Sequence, residues 1–166
     1  MSKIHRFAGL SLATALACGL ATSANAQLLQ HKDLSSAIAT TIALTAIDAC
    51  KEAGYNVSVH VVGRNGEVIV GLRHHAAGVN PFENSWKKAY TSRTFRIASG
   101  KFADNVGQNP VAGQLFLANI VAARGALPIM IGEETIGAVG VSGAPGGDKD
   151  EVCAQAGIDK VKDQLH

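Results

Sequence analysis

The sequence predicts an α+β fold, a five-stranded, mostly antiparallel sheet with helices packed on one face. Three observations carry that expectation. Asn65-Gly66 stands between two segments that alternate apolar and polar residues, the signature of a β-hairpin. Three short apolar runs follow in the C-terminal half, punctuated by glycines, as in a meander of strands. Segments with apolar residues at three- and four-residue steps flank these strand groups instead of alternating with single strands, which separates α+β from α/β organisation.

Asp33 is placed to cap a first helix in which Leu34, Ile38, Ile42, Thr45, Ala46 and Ala49 share a face, with Gly54 as its stop. Residues 56–62 then alternate, Val57, Val59 and Val61 against Ser58 and His60. Residues 67–73 repeat the pattern with Val68, Val70 and Leu72. A type I′ turn at Asn65-Gly66 sets His60 opposite Gly71. Residues 74–81, with His74, His75, Gly78 and Pro81, read as a loop, and residues 82–98 as a helix carrying Trp86, Ala89, Tyr90 and Arg93. Residues 99–109 are polar and contain glycine, the pattern of a flexible connection, and Pro110 fits the first turn of a short helix to residue 118. The three apolar runs are residues 120–123, 127–131 and 136–141. Asp148 and Glu151 form a capping-box-like start to a closing helix that runs through Lys162.

The N-terminus reads as an export signal. Lys3 and Arg6 precede an uncharged run over residues 7–21, and Ala24-Asn25-Ala26 offers small residues for cleavage before Gln27. The division is thus a signal peptide, residues 1–26, and a single domain, residues 27–166. A minor alternative makes Ala15-Leu16-Ala17-Cys18 a weak lipobox that lipidates Cys18. The apolar run is shorter than the ~20 residues a membrane span needs, so no transmembrane segment is expected. Of 15 Lys+Arg and 13 Asp+Glu, the leader holds Lys3 and Arg6 and no acid, leaving a domain with 13 of each sign. Without a basic run or an excess of positive charge, nucleic-acid binding is not expected. Cys50 and Cys153 remain after cleavage, and the sequence leaves open whether they pair or stay as buried thiols.

Few residues group for chemistry. No Gly-x-Ser-x-Gly elbow is present, and Ser142 after a strand reads as a structural hydroxyl. The glycine-rich stretch with Ser142, Gly143 and Gly146 leads from a strand into a helix, where backbone amides can hold a carboxylate or serve only as a tight, capped turn. Lys87 and Arg93 are candidate charge partners there. No histidines fall at zinc-site spacing, so no metal beyond a haem iron is expected. His60 reads as a satisfied sheet histidine. His74 and His75, at a strand end, are candidate haem-iron ligands, because a single axial imidazole needs no spacing motif.

Several ordered motifs resemble one family over nearly the whole domain. Val59-His60-Val61-Val62 with Gly66 and Val70-Gly71-Leu72-Arg73 resemble its opening hairpin. Lys87-Lys88-Ala89-Tyr90-Thr91-Ser92-Arg93-Thr94-Phe95 resembles its lysine-alanine-threonine-phenylalanine helix. Gly125-Ala126-Leu127-Pro128-Ile129 and Ile136-Gly137-Ala138-Val139-Gly140-Val141-Ser142-Gly143-Ala144 resemble its glycine-punctuated strands, and Asp148-Lys149-Asp150-Glu151 with Cys153-Ala154 its last helix. The family is the GlcG/HbpS-like group, also named the haem-degrading domain. The resemblance implies a profilin-like fold, homo-oligomers, and haem binding in some members. Two positions depart from the pattern: Gly63 stands where an aspartate is common, and His75 where an acidic residue is usual.

Three functions follow as expectations. The first is an exported haem-binding protein for sequestration, sensing or transfer, with slow haem degradation as an extension. The second is an enzyme acting on a small organic acid through the turn at residues 142–147, with Lys87 and Arg93 as charge partners. The third is a cofactor-free structural oligomer. A binding protein is favoured over an efficient enzyme, since no general base has a convincing partner.

Overall fold

The computed structural model describes residues 28–109 and 112–166. The predicted leader, its cleavage site and Cys18 lie outside the described residues.

Ser35, not Asp33, caps the first helix, its hydroxyl accepting from the Ile38 amide at 3.2 Å. Helix α1 spans Ser36–Glu52 and buries Ala39, Ile42, Ala43, Ala46 and Cys50 on one stripe. Strands β1 (Ser58–Val62) and β2 (Val68–Arg73) form the predicted antiparallel hairpin, with His60 opposite Gly71. The turn differs from the type I′ expectation. Gly66 N–H donates to the Gly63 carbonyl, and of the two central residues named only Gly66 has positive φ, at 81°. The extra residue is absorbed by a register shift beside Val62, so a β-turn at residues 63–66 continues into a glycine bulge.

Helix α2 spans Asn80–Phe95, opened by Pro81 in its first turn. Residues 99–109, expected as a flexible connection, instead hold helix α3, Ser99–Gly107. Phe102 and Val106, one turn apart, bury its inner face, and the Ser99 hydroxyl accepts from the Ala126 amide at 2.9 Å. Gly113–Phe116 forms a short 3₁₀ turn. Strands β3 (Ala126–Ile131) and β4 (Glu134–Ser142) complete the sheet, and helix α4 spans Gly147–Val161.

The sheet has four strands, in the order β2-β1-β4-β3, all antiparallel. The fifth predicted strand, residues 120–123, does not form: the Val121 amide goes to the Thr91 hydroxyl of α2 at 3.0 Å instead of to a ladder. Left-handed Asn119 before it and Gly125 at φ 133° after it bend the chain off the sheet.

Helices cover both faces, which corrects the one-face expectation. Val57, Val59, Val61, Val139 and Val141 pack with Ile42, Ala46, Cys153, Ala154 and Val161 in the main core beneath α1 and α4. The opposite face carries a small cluster of Val62, Ala138 and Ala89 beside Trp86. There α2 lies directly on the sheet, because a Cβ on Gly140 would stand 2.2 Å from the Ser85 carbonyl oxygen and 2.7 Å from the Ala89 nitrogen. Every β1 residue is therefore buried, Ser58 and His60 included. Cys50 of α1 and Cys153 of α4 form a disulfide.

Candidate functional site

At the end of β2, the His74 amide donates to the Val57 carbonyl at 3.0 Å, and the Ala77 amide turns back to the His74 carbonyl at 2.9 Å. The Arg73 guanidinium holds this turn through the carbonyls of Ala77 and Gly78. His74 is half-buried and His75 exposed, with ring centroids 4.2 Å apart. Desolvation, then the neighbouring charges of His75 and Lys51, push the His74 imidazole below its ordinary pKa, favouring the neutral ring. Its Nδ1 accepts a long hydrogen bond from the Ala76 amide at 3.3 Å. No described residue hydrogen-bonds the His75 ring. Just beyond, Val79 is 88 % exposed, and Phe82 presents part of its ring to solvent.

The interface between α2 and the sheet is polar. The Ser85 hydroxyl donates to the Phe82 carbonyl at 2.9 Å, which spends its one proton. The His60 Nδ1, 2.8 Å from Ser85 Oγ, must then be the donor, leaving the Nε2 lone pair toward Gly71. Burial lowers the His60 pKa to about 4, so this ring is neutral. A turn further on, Lys88 Nζ donates to Asp150 Oδ2 at 2.8 Å and to the Val141 carbonyl at 3.0 Å. Both side chains are almost fully buried.

The glycine-rich turn is filled by its own surroundings. Asp150 Oδ1 accepts from the Ala144 amide at 3.0 Å, and Asn84 donates to the Ser142 hydroxyl at 3.0 Å. Helix α4 starts from Gly146 at φ 121°, with no side chain capping it, so the expected Asp148/Glu151 box is replaced by Asp150 reaching back to Ala144. Lys87 points away and pairs with Glu83 at 2.6 Å on the surface, an interaction of ~0.3–0.5 kcal/mol. Arg93 lies near the far end of α2, beside Arg64 and Arg96. Ser142, Gly143 and Gly146 therefore share one turn, while Lys87 and Arg93 join neither it nor each other.

Sequence reasoning passed over Lys88, Asp150 and Ser85. A signal was present, because Ser85, Lys88, Ala89 and Ser92 recur at helical spacing and form the buried side of α2. Among the described residues, no three His, Cys, Asp or Glu side chains converge as a metal site.

The fold has close counterparts among solved structures. A crystal structure of HbpS superposes with a TM-score of 0.77 at 32 % identity, covering 81 % of this chain and 94 % of that one. A double mutant of Streptomyces reticuli HbpS gives 0.78 at 28 % identity, covering 93 % and 98 %. A PduOC haem complex shares the fold, with a TM-score of 0.69 at 23 % identity, covering 76 % and 93 %. No curated protein matches the chain in sequence. With the family model for haem-degrading HbpS-like proteins matching residues 34–159, this chain belongs to the HbpS-like family.

Proposed function

We propose that this chain is an exported haem-binding protein that holds haem at an open surface, for sequestration, sensing or transfer, as a homo-oligomer. The observation that carries the reading is the His74-His75 pair, in a domain of the HbpS-like family. The donor set suits haem: one neutral imidazole and one exposed imidazole, with an exposed valine and a partly exposed phenylalanine following in the chain as apolar contacts for a macrocycle. His75 would be the better residue to hold the iron, because the Ala76 amide already engages the His74 Nδ1 lone pair. Bound haem would supply an iron centre with redox and ligand-binding chemistry. The protein's part is to present a ring nitrogen, and the Arg73 contacts to Ala77 and Gly78 hold the loop that presents it.

Export draws support from the leader-like N-terminus and from the Cys50–Cys153 disulfide, a bond that persists in oxidising compartments. Exposed Phe116, Leu117 and Val152 are apolar surface that assembly of several copies would cover. The small-acid enzyme reading is weaker, since Asp150 already accepts from the Ala144 amide and Asn84 already donates to the Ser142 hydroxyl.

Haemin titration of the mature protein tests the proposal. A saturable Soret shift is expected, reduced by His75→Ala and abolished by the double His74→Ala/His75→Ala variant. No shift at micromolar protein would reject haem binding and leave the cofactor-free oligomer. An undiminished shift in the double variant would remove these histidines as ligands.

A further inference from the structure

At the other end of the hairpin from His74 and His75, three arginines converge on a cleft. Arg64 comes from the β1–β2 turn, Arg93 from the last turn of α2, and Arg96 from its C-cap. Glu133 of the β3–β4 turn, with Glu134 and Thr135 at the start of β4, forms the other wall of this cleft of about 360 Å3. A smaller recess of about 140 Å3, lined by Arg64, Asn65, Gly66, Tyr90, Arg93 and Thr94, adjoins it through the shared arginines. The six residues of β2 rise ~3.3 Å each, which sets this cleft roughly 20 Å from the histidine loop and makes it a separate site.

The three arginines are not equivalent. Arg64 is committed: Nε bonds Asp33 at 2.8 Å, Nη1 bonds Glu134, and Nη2 donates to the Lys32 carbonyl at 2.6 Å. That network fixes the cleft wall, with one guanidinium charge shared between Asp33 and Glu134. Arg93 and Arg96 have no ion pair or side-chain hydrogen bond among the described residues, and the Arg93 Nε is buried without a partner. Closed to solvent, that Nε does not face the cleft, so the donors available to a ligand there are the terminal nitrogens of Arg93 and Arg96.

Arg96 adds an independent observation. It closes α2 in the left-handed region, φ 58° and ψ 34°, where glycine sits without steric cost and a branched-off side chain does not. The arginine there places a second guanidinium on the cleft. The helix C-terminus welcomes positive charge. That alone does not account for the convergence of charges from two separate elements.

We propose that this cleft binds a small oxyanion, a carboxylate or a phosphate, through the guanidinium groups of Arg93 and Arg96. Planar guanidinium donors match paired oxygens of either ligand, and charge-assisted bonds of this kind are the strong ones. Desolvation, then the charges of Arg96 and Arg64, push the Arg93 pKa below its ordinary value, against the opposing pull of Glu67 and Glu134. The site does not depend on haem, and its test contains none.

Thermal unfolding of the haem-free protein is followed with added succinate or inorganic phosphate, against sodium chloride at matched ionic strength. A saturable rise in Tm with succinate or phosphate is expected, about 8 °C at a hundredfold excess over Kd for a domain this size. Whichever anion acts at the lower concentration identifies the source. Arg93→Gln should weaken the response at least about tenfold by removing the principal charge-assisted donor. Arg96→Gly should weaken it too, while leaving the unliganded Tm unchanged or higher, because glycine suits the left-handed cap. That opposite movement of stability and binding is one that a purely structural arginine does not give. No response beyond the chloride control, or a response in both variants equal to the parent's, would overturn the proposal.

Discussion

Lys88→Met removes the cation that holds α2 to α4 and leaves its partner buried. Asp150 is 2 % exposed and would keep only the Ala144 amide, while the Val141 carbonyl would lose the Lys88 donor. Stripping one partner from a buried pair costs about 3–5 kcal/mol, because an uncompensated charge stays in a poorly solvated site. For a domain of this size each kilocalorie lowers Tm by about 3 °C, so the variant should melt roughly 10 °C below the parent. Urea unfolding followed by fluorescence is a local assay, since Trp86, the single tryptophan, packs on the cluster under α2. Adding Asp150→Asn removes the stranded charge and keeps an acceptor for Ala144, so the double variant should regain most of the loss. The loss should also ease in acid. Burial already raises the Asp150 pKa against the opposing pull of Lys88, and without Lys88 the rise is larger. A carboxyl whose folded pKa lies above its unfolded value is favoured at low pH and penalised as pH rises through the folded value. A Lys88→Met cost below about 1 kcal/mol, or strictly additive single variants, would refute a coupled buried pair.

His60 gives the opposite pH dependence: its pKa is lowered to about 4, so stability present above the unfolded value of 6.5 is lost as pH falls toward 4. The loss amounts to ~3 kcal/mol if the ring must charge in place, and chemical denaturation at pH 7 and pH 4.5 should show it shrinking in His60→Asn, which keeps a donor to Ser85 but does not titrate. Cys50 and Cys153 close a loop with a sequence separation of 103 residues, for which loop-closure entropy predicts ~4.7 kcal/mol. The Cys50→Ser/Cys153→Ser variant should therefore melt at least about 10 °C lower under non-reducing conditions, and an unchanged Tm would show that the bridge contributes nothing.

Elements that bury an apolar stripe were legible from the sequence: α1, the hairpin, β3, β4 and α4 stand within a few residues of their expected positions. The bridge between Cys50 and Cys153 needed the packing of α1 on α4, which no pattern within either helix contains. Helix α3 was hidden because it buries little beyond Phe102 and Val106 among polar residues and glycine. Residues 120–123 misled in the other direction, being apolar enough for a strand but four residues long between two left-handed turns. The histidine loop was visible as the punctuation after a strand. The arginine cleft was not, because Arg64 lies 29 positions before Arg93 and only the folded sheet brings them together.

The helix on the second face of the sheet has one physical origin, the polar side of α2. Alternation in β1 set Ser58 and His60 on a face that hydrophobic patterning assigns to water. That inference assumes a buried face must be apolar. Here α2 brings its own polar side, with Ser85, Lys88, Thr91 and Ser92 all buried, and it meets the sheet through His60 with Ser85 and Lys88 with the Val141 carbonyl, while the buried Ser58 hydroxyl stays without a partner. Apolar contacts alone would fix this helix poorly, since Gly140 offers a smooth seat and only Ala89 and Trp86 engage the small cluster beneath it. Hydrogen bonds are directional where dispersion is not, so the 2.8 Å contacts at Ser85 and Lys88, one turn apart, set both the rotation and the axial register of α2. The first turn of that helix follows the histidine loop, and its end carries Arg93 and Arg96. A polar mounting that no hydrophobic pattern reveals thus positions one candidate site directly and adjoins the other.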